Sequence, residues 1–156
     1  MRRFQVAMVL TLVSVLSLRA QMTIPPDRDS LLSGAGMGQA MYAEMNGYPG
    51  PKHVLDLKED LGLTKDQLYK TDQLMNNVMV SAKVKGQEIV EAEEDLNKVF
   101  AAGTLSEKSL RAKLDRIGRL RGELRFIHLQ AHLKMKQILS PNQVERYNEL
   151  RGHETK

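Results

Sequence analysis

The chain of 156 residues contains no cysteine and no tryptophan, and its aromatic side chains are limited to four Tyr and three Phe. The absence of cysteine excludes a disulfide framework, a thiolate nucleophile, a cysteine-ligated zinc site and a lipid-modified cysteine. Because aromatic residues make up only 4% of the chain, aliphatic and methionine side chains must form most of any core. The hydrophobic fraction of 42% is ordinary for a folded protein, and the length suits one domain.

The first twenty residues have the composition of an export signal. Arg2 and Arg3 provide a basic start, residues 6–18 are apolar or small, and Ala20 provides a small residue for cleavage. This pattern is typical of a secretory signal, whereas a membrane-spanning helix needs about 20 apolar residues. We therefore expect residues 1–20 to be a cleaved signal peptide, the mature protein to lie in the periplasm, and no stable membrane anchor to remain after cleavage.

Removal of this signal changes the meaning of the net charge. The whole chain has 23 basic and 19 acidic residues, and the signal contains three of the basic ones, so the mature net charge is 20 − 19 = +1. The basic positions are not interleaved with aromatic residues, which argues against a nucleic-acid partner. No phosphate-binding motif is present, and no serine lies in the context of a nucleophile. We therefore expect the protein not to be an enzyme.

The residues after the signal divide into a leader, one domain and a tail. Residues 21–33 contain a Pro-Pro pair and mixed charges, and they predict a flexible leader. Residues 34–46 predict a weak helix, and residues 52–61 predict a short helix that ends at a glycine. The domain is expected to span residues 34–152, followed by a tail of residues 153–156.

Two similar boxes, LTKDQ beginning at Leu63 and LSPNQ beginning at Leu139, predict the starts of two helices. In each box the Thr or Ser side chain can accept a hydrogen bond from the backbone of the Gln three residues later. That Gln can return a hydrogen bond to the backbone of the capping residue, and the preceding leucine can pack over the first turn. The predicted capping residues are Leu63, Thr64, Gln67, Leu139, Ser140 and Gln143.

Apolar residues that recur every seven positions predict two long helices. The first should run from Thr64 to about Ala102 and the second from Leu105 to Leu139, with Thr104 and Glu107 as a third capping box. Joined by a short turn, they form an antiparallel helical hairpin. The predicted fold is therefore all-α, a long hairpin with short flanking helices. Because each long helix has few internal neighbours, we expect a homodimer.

The signal, the LTKDQ and LSPNQ boxes and the hairpin between them resemble the Spy/CpxP (LTXXQ) family of periplasmic chaperones and stress regulators. The stretches GMGQAMYAEMNGYPGPKHVLDL and LRFIHLQAHLKMKQILSPNQVERYNELRG are similar to its heavy-metal-resistance-like branch. The resemblance covers residues 34–152. It implies an all-α periplasmic protein that dimerises as a curved cradle and binds unfolded or partly folded clients without nucleotide.

A client-binding surface of this kind needs adaptable apolar groups beside charges. Met75 and Met79 are four residues apart on the first long helix, and flexible thioethers suit promiscuous surfaces. The second long helix carries basic residues beyond the reach of interhelical ion pairs. The predicted client-binding residues are therefore Met75, Met79, Arg125, Lys134 and Lys136. Two alternatives stay open: the methionines fill a loosely packed core, or the protein is a structural adaptor for one partner.

Histidines indicate a metal-binding alternative. His128 and His132 are four residues apart on one predicted helix, so both imidazoles can face one ion. His53 lies on the preceding short helix, and antiparallel pairing should bring Asp72 and Asn76 to the level of the histidine pair. Such a set suits zinc, nickel, cobalt or copper, and the resemblance includes metal sensors with histidines and a carboxylate gathered from several helices. The alternative function is thus a periplasmic heavy-metal sensor or resistance protein. No cofactor is expected to be required for the chaperone, and His128 alternatively packs within the helical seam.

Overall fold

The computed structural model describes residues 23–36 and 38–153. The predicted signal, residues 1–20, lies outside them, as does all of the predicted tail except His153. The described residues form six α-helices and no strand, so the predicted all-α fold is confirmed. In chain order the helices are α1 (Arg28–Ser33), α2 (Met41–Met45), α3 (Pro51–Asp56), α4 (Lys65–Ala101), α5 (Glu107–Ile138) and α6 (Pro141–Arg151).

Helices α4 and α5 form the predicted antiparallel hairpin. Helix α4 has 37 residues and is therefore about 56 Å long, and α5 has 32 residues. The capping box expected at Thr104 is wrong, because Ser106 is the residue before α5 and its hydroxyl accepts from the backbone of Ser109 at 3.2 Å. Gly103, with φ +64°, forms part of the turn. Helix α5 thus begins two residues later than expected, at Glu107 and not at Leu105. None of the helices in residues 23–36 and 38–153 is long and apolar enough to span a membrane.

The two predicted boxes are both complete capping boxes, and they also bind each other. The Gln67 amide donates to the Gln143 side-chain oxygen at 2.8 Å, and the Gln143 amide donates to the Gln67 side-chain oxygen at 3.1 Å. Gln67 also donates to the backbone oxygen of Ile138 at 3.0 Å, and Gln143 to that of Leu61 at 3.1 Å. The pair therefore ties the start of α4 to the start of α6.

A packed helix occupies part of the segment predicted as a flexible leader. Residues 28–33 form α1, whose Leu31 is buried against the hairpin. Residues 28–33 of this segment are therefore helical, and the flexibility of the leader stays a prediction. The physical reason is tertiary, because a six-residue helix has little stability alone and α1 is held by its contacts with α4.

The core has two parts. The first, which we call the base cluster, joins α3, α6 and the adjacent ends of α4 and α5, and consists of Val54, Leu61, Leu74, Ala131, Met135, Leu139 and Tyr147. The second, the shaft cluster, lies farther along the hairpin beneath α1, and consists of Leu31, Ala82, Ile89, Val90, Ala92, Ile117, Leu120 and Leu124.

Ion pairs flank the shaft cluster. Lys85 on α4 lies 2.7 Å from Glu123 on α5 and 2.6 Å from Glu88 on its own helix. Lys113 pairs with Asp95 across the hairpin. The positive partners hold the pKa of Asp95 and of Glu123 below their usual values, chiefly through hydrogen bonds from the lysines. These charges therefore connect α4 and α5 beside the shaft cluster.

Candidate functional site

A cavity of about 580 Å³ lies where the hairpin meets the segment that contains α2 and α3. Its volume falls within the range of small-molecule and cofactor sites. Apolar groups form most of its wall, and the long helices and the short ones both contribute: Ala40, Pro51, Met75, Val78, Met79 and Ala131. Its polar lining includes three of the four histidines of the chain, together with Glu44 and Lys52.

His132 has a fixed orientation in the cavity wall. It is 5% exposed, and its Nδ1 lies 2.9 Å from the backbone oxygen of Tyr48. Because a carbonyl oxygen only accepts hydrogen bonds, Nδ1 carries the proton, and in the neutral ring Nε2 carries the lone pair. A Cβ at Gly50 would lie 2.8 Å from Cε1 of His132. Glycine at this position therefore lets the backbone lie directly against the imidazole.

His128 lies one turn before His132 on the same wall. It is 8% exposed, and its Nε2 is buried with no hydrogen-bond partner in the described residues. Burial, followed by the nearby His132, lowers the pKa of His128 below its usual value. A Cβ at Gly36 would lie 3.0 Å from Nδ1 of His128. The ring is therefore a desolvated base covered by a second glycine-containing segment.

His53 lines the cavity from α3 and is half-buried. Its Nε2 lies 3.6 Å from a carboxylate oxygen of Glu44, and its Nδ1 lies 3.8 Å from one of Asp56. Burial and then the positive charge of Arg151 lower the pKa of His53, while Glu44 acts in the opposite direction. His53 thus belongs to a polar group at one side of the cavity.

The three histidines predicted as metal ligands therefore line one cavity without converging on a point. The part of the chain that the structure describes contains no group of three or more His, Asp or Glu residues arranged to hold a metal ion. Asp72 and Asn76, expected at the level of the histidine pair, are exposed. At that level α4 instead contributes Met75 and Met79 to the cavity.

The five residues predicted to bind clients do not form one surface. Met75 and Met79 are half-buried in the cavity wall. Arg125 and Lys136 lie over the rings of Tyr42 and Tyr48, with distances of 5.1 and 4.5 Å to the ring centroids. Lys134 is exposed beside a small cleft of about 120 Å³. The two cation–π contacts therefore fasten the segment around α2 to α5.

Sequence reasoning missed the exposed apolar positions of the hairpin. On α4 these are Tyr69, Val80 and Val84, and on α5 they include Phe126 and Leu133, all more than half exposed. Helix α2 adds Met41, Tyr42 and Met45, which are also exposed. The available signal was their spacing, since Phe126 and Leu133 are seven residues apart, outside the buried seam of α5.

The fold and the site define a class: an all-α hairpin protein with a histidine-lined apolar cavity between the hairpin and a segment of short helices. No family model, curated protein or solved structure matches the chain.

Proposed function

We propose that the protein is an exported, nucleotide-independent chaperone that binds unfolded or partly folded proteins in the periplasm. The observation that carries this proposal is the set of large apolar side chains exposed on the outer faces of both long helices. Phe126 is 59% exposed and Val80 is 64% exposed. Contiguous apolar patches on a protein surface mark sites that bind other proteins or ligands.

The position of these side chains on regular helices supports the proposal further. Phe126 and Leu133 are separated by two turns, and Val80 and Val84 by about one, so each pair shares a helix face. Charged residues such as Arg119 and Lys134 lie nearby on the same helices and are exposed. Apolar groups beside charges on a rigid support suit many unrelated extended segments. The same faces offer a second copy of the chain a contact surface, and we propose a homodimer.

An aggregation assay tests the chaperone proposal. The mature chain, residues 21–156, is stripped of metal by chelation and mixed without nucleotide with two unrelated proteins as they unfold. We expect near-stoichiometric suppression of the aggregation of both. Replacing Phe126 and Leu133 by Glu should reduce this suppression severalfold, because the apolar contacts are removed. The matched control is Gln130→Glu together with Gln137→Glu, which adds the same charge to polar positions of α5.

Three outcomes of that assay separate the classes of function. Suppression of both clients that falls with the apolar substitutions supports the chaperone. Suppression of one client alone supports the adaptor for a single partner. If neither client is protected, the chaperone proposal is wrong. Light scattering measures the aggregation, and sedimentation equilibrium on the same samples measures the proposed dimer.

The second candidate function is a metal sensor or resistance protein. The observation that favours it is that His53, His128 and His132 line one cavity. A hydrogen bond from one ring nitrogen to a backbone carbonyl is the usual support of a ligating histidine, and His132 makes that bond to Tyr48. Imidazoles suit zinc, nickel, cobalt or copper, and the thioethers of Met75 and Met79 in the same cavity wall favour Cu(I). Binding would need the three rings to move closer together.

Titration of the chelator-treated protein with each of these four ions tests the second candidate. We expect stoichiometric binding that is lost in the His128→Ala/His132→Ala variant and kept in the His153→Ala variant, since His153 does not line the cavity. Calorimetry measures the affinity, and circular dichroism verifies that both variants remain helical. Equal binding by the wild type and the double variant would remove this candidate.

A further inference from the structure

The cavity between the hairpin and the segment of short helices is larger than the gaps that packed side chains leave between them. Protein interiors are close-packed, and apolar cavities much smaller than about 580 Å³ bind small hydrocarbons. The apolar wall comes from both sides, since Met75 and Val78 belong to α4, Ala131 to α5 and Pro51 to α3. The cavity therefore has room for a molecule with two fused aromatic rings.

Two imidazoles in the cavity wall offer ring nitrogens for hydrogen bonds. Nε2 of His128 is buried with no hydrogen-bond partner among the residues that the structure describes. Nδ1 of His132 donates to the backbone oxygen of Tyr48 at 2.9 Å, so the lone pair on Nε2 of the neutral ring is an acceptor. A buried polar group without a partner costs free energy. The wall therefore favours a molecule that supplies a partner.

The spacing of the two histidines suits a single hydroxyl group. Residues four apart on a helix have Cβ atoms about 5–6 Å from each other, and one oxygen atom can reach two nitrogens across such a distance. A hydroxyl group donates one hydrogen bond and also accepts. It can therefore donate to Nε2 of His132 and accept from Nε2 of His128 when that nitrogen carries the ring proton. A carbonyl oxygen, by contrast, can only accept.

The charges around the cavity favour a neutral molecule. Lys52 and Glu44 both belong to the lining, so a ligand with a charge of either sign meets a like charge. Lys52 also lies 2.7 Å from Asp56, and an anionic ligand would have to compete with that carboxylate. Burial lowers the pKa of His128, which keeps its ring uncharged near neutral pH.

We infer that this cavity is a binding site for a neutral, mainly apolar small molecule that carries one hydroxyl group. The apolar part of the molecule contacts Met75, Val78 and Ala131, and the hydroxyl group bridges His128 and His132. The inference goes beyond the proposed functions, because this binding requires neither an unfolded client nor a metal ion.

Binding of 2-naphthol to the chelator-treated mature chain tests the site, and equilibrium dialysis measures it. We expect one molecule per chain with a dissociation constant below about 1 mM. The matched probe is 2-methylnaphthalene, in which a methyl group replaces the hydroxyl group, and it should bind at least fivefold more weakly. The comparison is strict, because a cavity without hydrogen-bond partners would favour the methyl compound, which buries no polar group.

Two histidine variants locate the hydroxyl group. His128→Phe keeps an aromatic ring of similar size but removes the ring nitrogens. The preference for 2-naphthol over 2-methylnaphthalene should therefore fall at least threefold, while the methyl compound binds as in the wild type. His53→Phe is the matched control and should keep the preference, because His53 lies on α3 beside Glu44, at 3.6 Å, and not beside His132 on α5.

A second pair of variants verifies that the apolar part enters the cavity, and it keeps the inference testable if His128→Phe does not fold. Met79→Trp places a larger side chain in the cavity wall and should weaken the binding of both compounds severalfold. Asn76→Trp adds the same side chain at an exposed position of α4 and should leave binding as in the wild type. Circular dichroism verifies that each variant remains helical.

Four results would overturn the inference: no binding of 2-naphthol up to 1 mM, equal or tighter binding of 2-methylnaphthalene, unchanged binding in a folded Met79→Trp variant, or binding that appears only after a metal ion is added. The aggregation assay separates this inference from the chaperone proposal. If the wild type binds 2-naphthol as expected but protects neither client, the cavity site stands and the chaperone proposal fails.

Discussion

The base and the shaft of the hairpin are stabilised in different ways. At the base, α3 and α6 cover the long helices, Tyr147 and Val54 are fully buried, and the Gln67–Gln143 amide pair ties two helix starts together. Along the shaft, by contrast, α1 is the short helix that packs on α4, and ion pairs between α4 and α5 flank the apolar cluster. From this difference we expect the base to contribute more to the free energy of unfolding than the cover that α1 gives to the shaft, and we expect the hairpin to persist when α1 detaches.

The largest expected effect distinguishes these two regions. Tyr147→Ala should lower the free energy of unfolding by about 3–5 kcal/mol, the usual cost of removing a large buried aromatic side chain. Leu31→Ala should cost less, because α1 can detach locally while α4 and α5 remain paired. Urea unfolding measures the two losses. Hydrogen exchange should reveal lost protection near α1 alone in the second variant.

Leu114→Ala is the control for both substitutions, because Leu114 is 48% exposed and its loss should change stability little. Equal losses for Tyr147→Ala and Leu31→Ala, with protection reduced throughout the hairpin in each, would contradict the distinction between base and shaft.

The second expected effect concerns the amide pair at the base. Gln67→Ala and Gln143→Ala should each cost about 1 kcal/mol or somewhat more, since each removes hydrogen bonds that are partly shielded from water. A double-mutant cycle should give a coupling free energy between about 0.5 and 3 kcal/mol, as for residues in direct contact. Urea unfolding of the four proteins measures it, with Gln73→Ala at an exposed position of α4 as the control. A coupling near zero would show that each box caps only its own helix.

The capping boxes illustrate how much of the fold could be predicted from the sequence. The hydrogen bonds of each box are local, within four residues of chain, so spacing alone predicts them. The bond between Gln67 and Gln143 needs two distant helix starts to meet in three dimensions, which no local pattern specifies. The same limit applies to Gly86 of α4, where a Cβ would collide with the backbone oxygen of Leu31 in α1. An isolated glycine in a predicted helix indicates only a weaker helix.

The candidate site could also be predicted only in part, because local spacing does not specify how distant helices meet. The spacing of His128 and His132 places both rings on one face of α5, and they do share the cavity wall. Asp72 and Asn76 of α4 were expected to lie opposite these histidines, but their side chains are exposed. The rotation of α4 about its own axis, set by the whole seam, instead brings Met75 and Met79 to the cavity. Periodicity predicts a face, whereas the depth of each side chain depends on how the helices pack.

The last expected effect is a pH dependence of stability, which comes from the histidines of the cavity at the junction of the base and the shaft. Burial favours neutral His128 in the folded protein, so the unfolded chain binds more protons once the pH falls below about 6.5, the ordinary pKa of histidine. Stability is therefore fully present above that pH and decreases as the pH falls through the lowered folded pKa. His53, also lowered by burial, adds to the decrease, and His132 and Lys52 in the cavity wall oppose a new positive charge. Glu44 acts on His53 in the opposite direction.

Urea unfolding between pH 8 and pH 5 measures this effect. His128→Gln should flatten the pH dependence below pH 6.5, and His53→Gln with His128→Gln should flatten it further. Hydrogen exchange locates the response: protection in the segments of Gly36 and Gly50, which cover the two rings, should fall before protection in the base cluster around Tyr147. Loss of protection at the base first would contradict this expectation. It would mean that the cavity belongs to the base, that the boundary between base and shaft lies farther along the hairpin than His128, and that acid destabilises the whole fold.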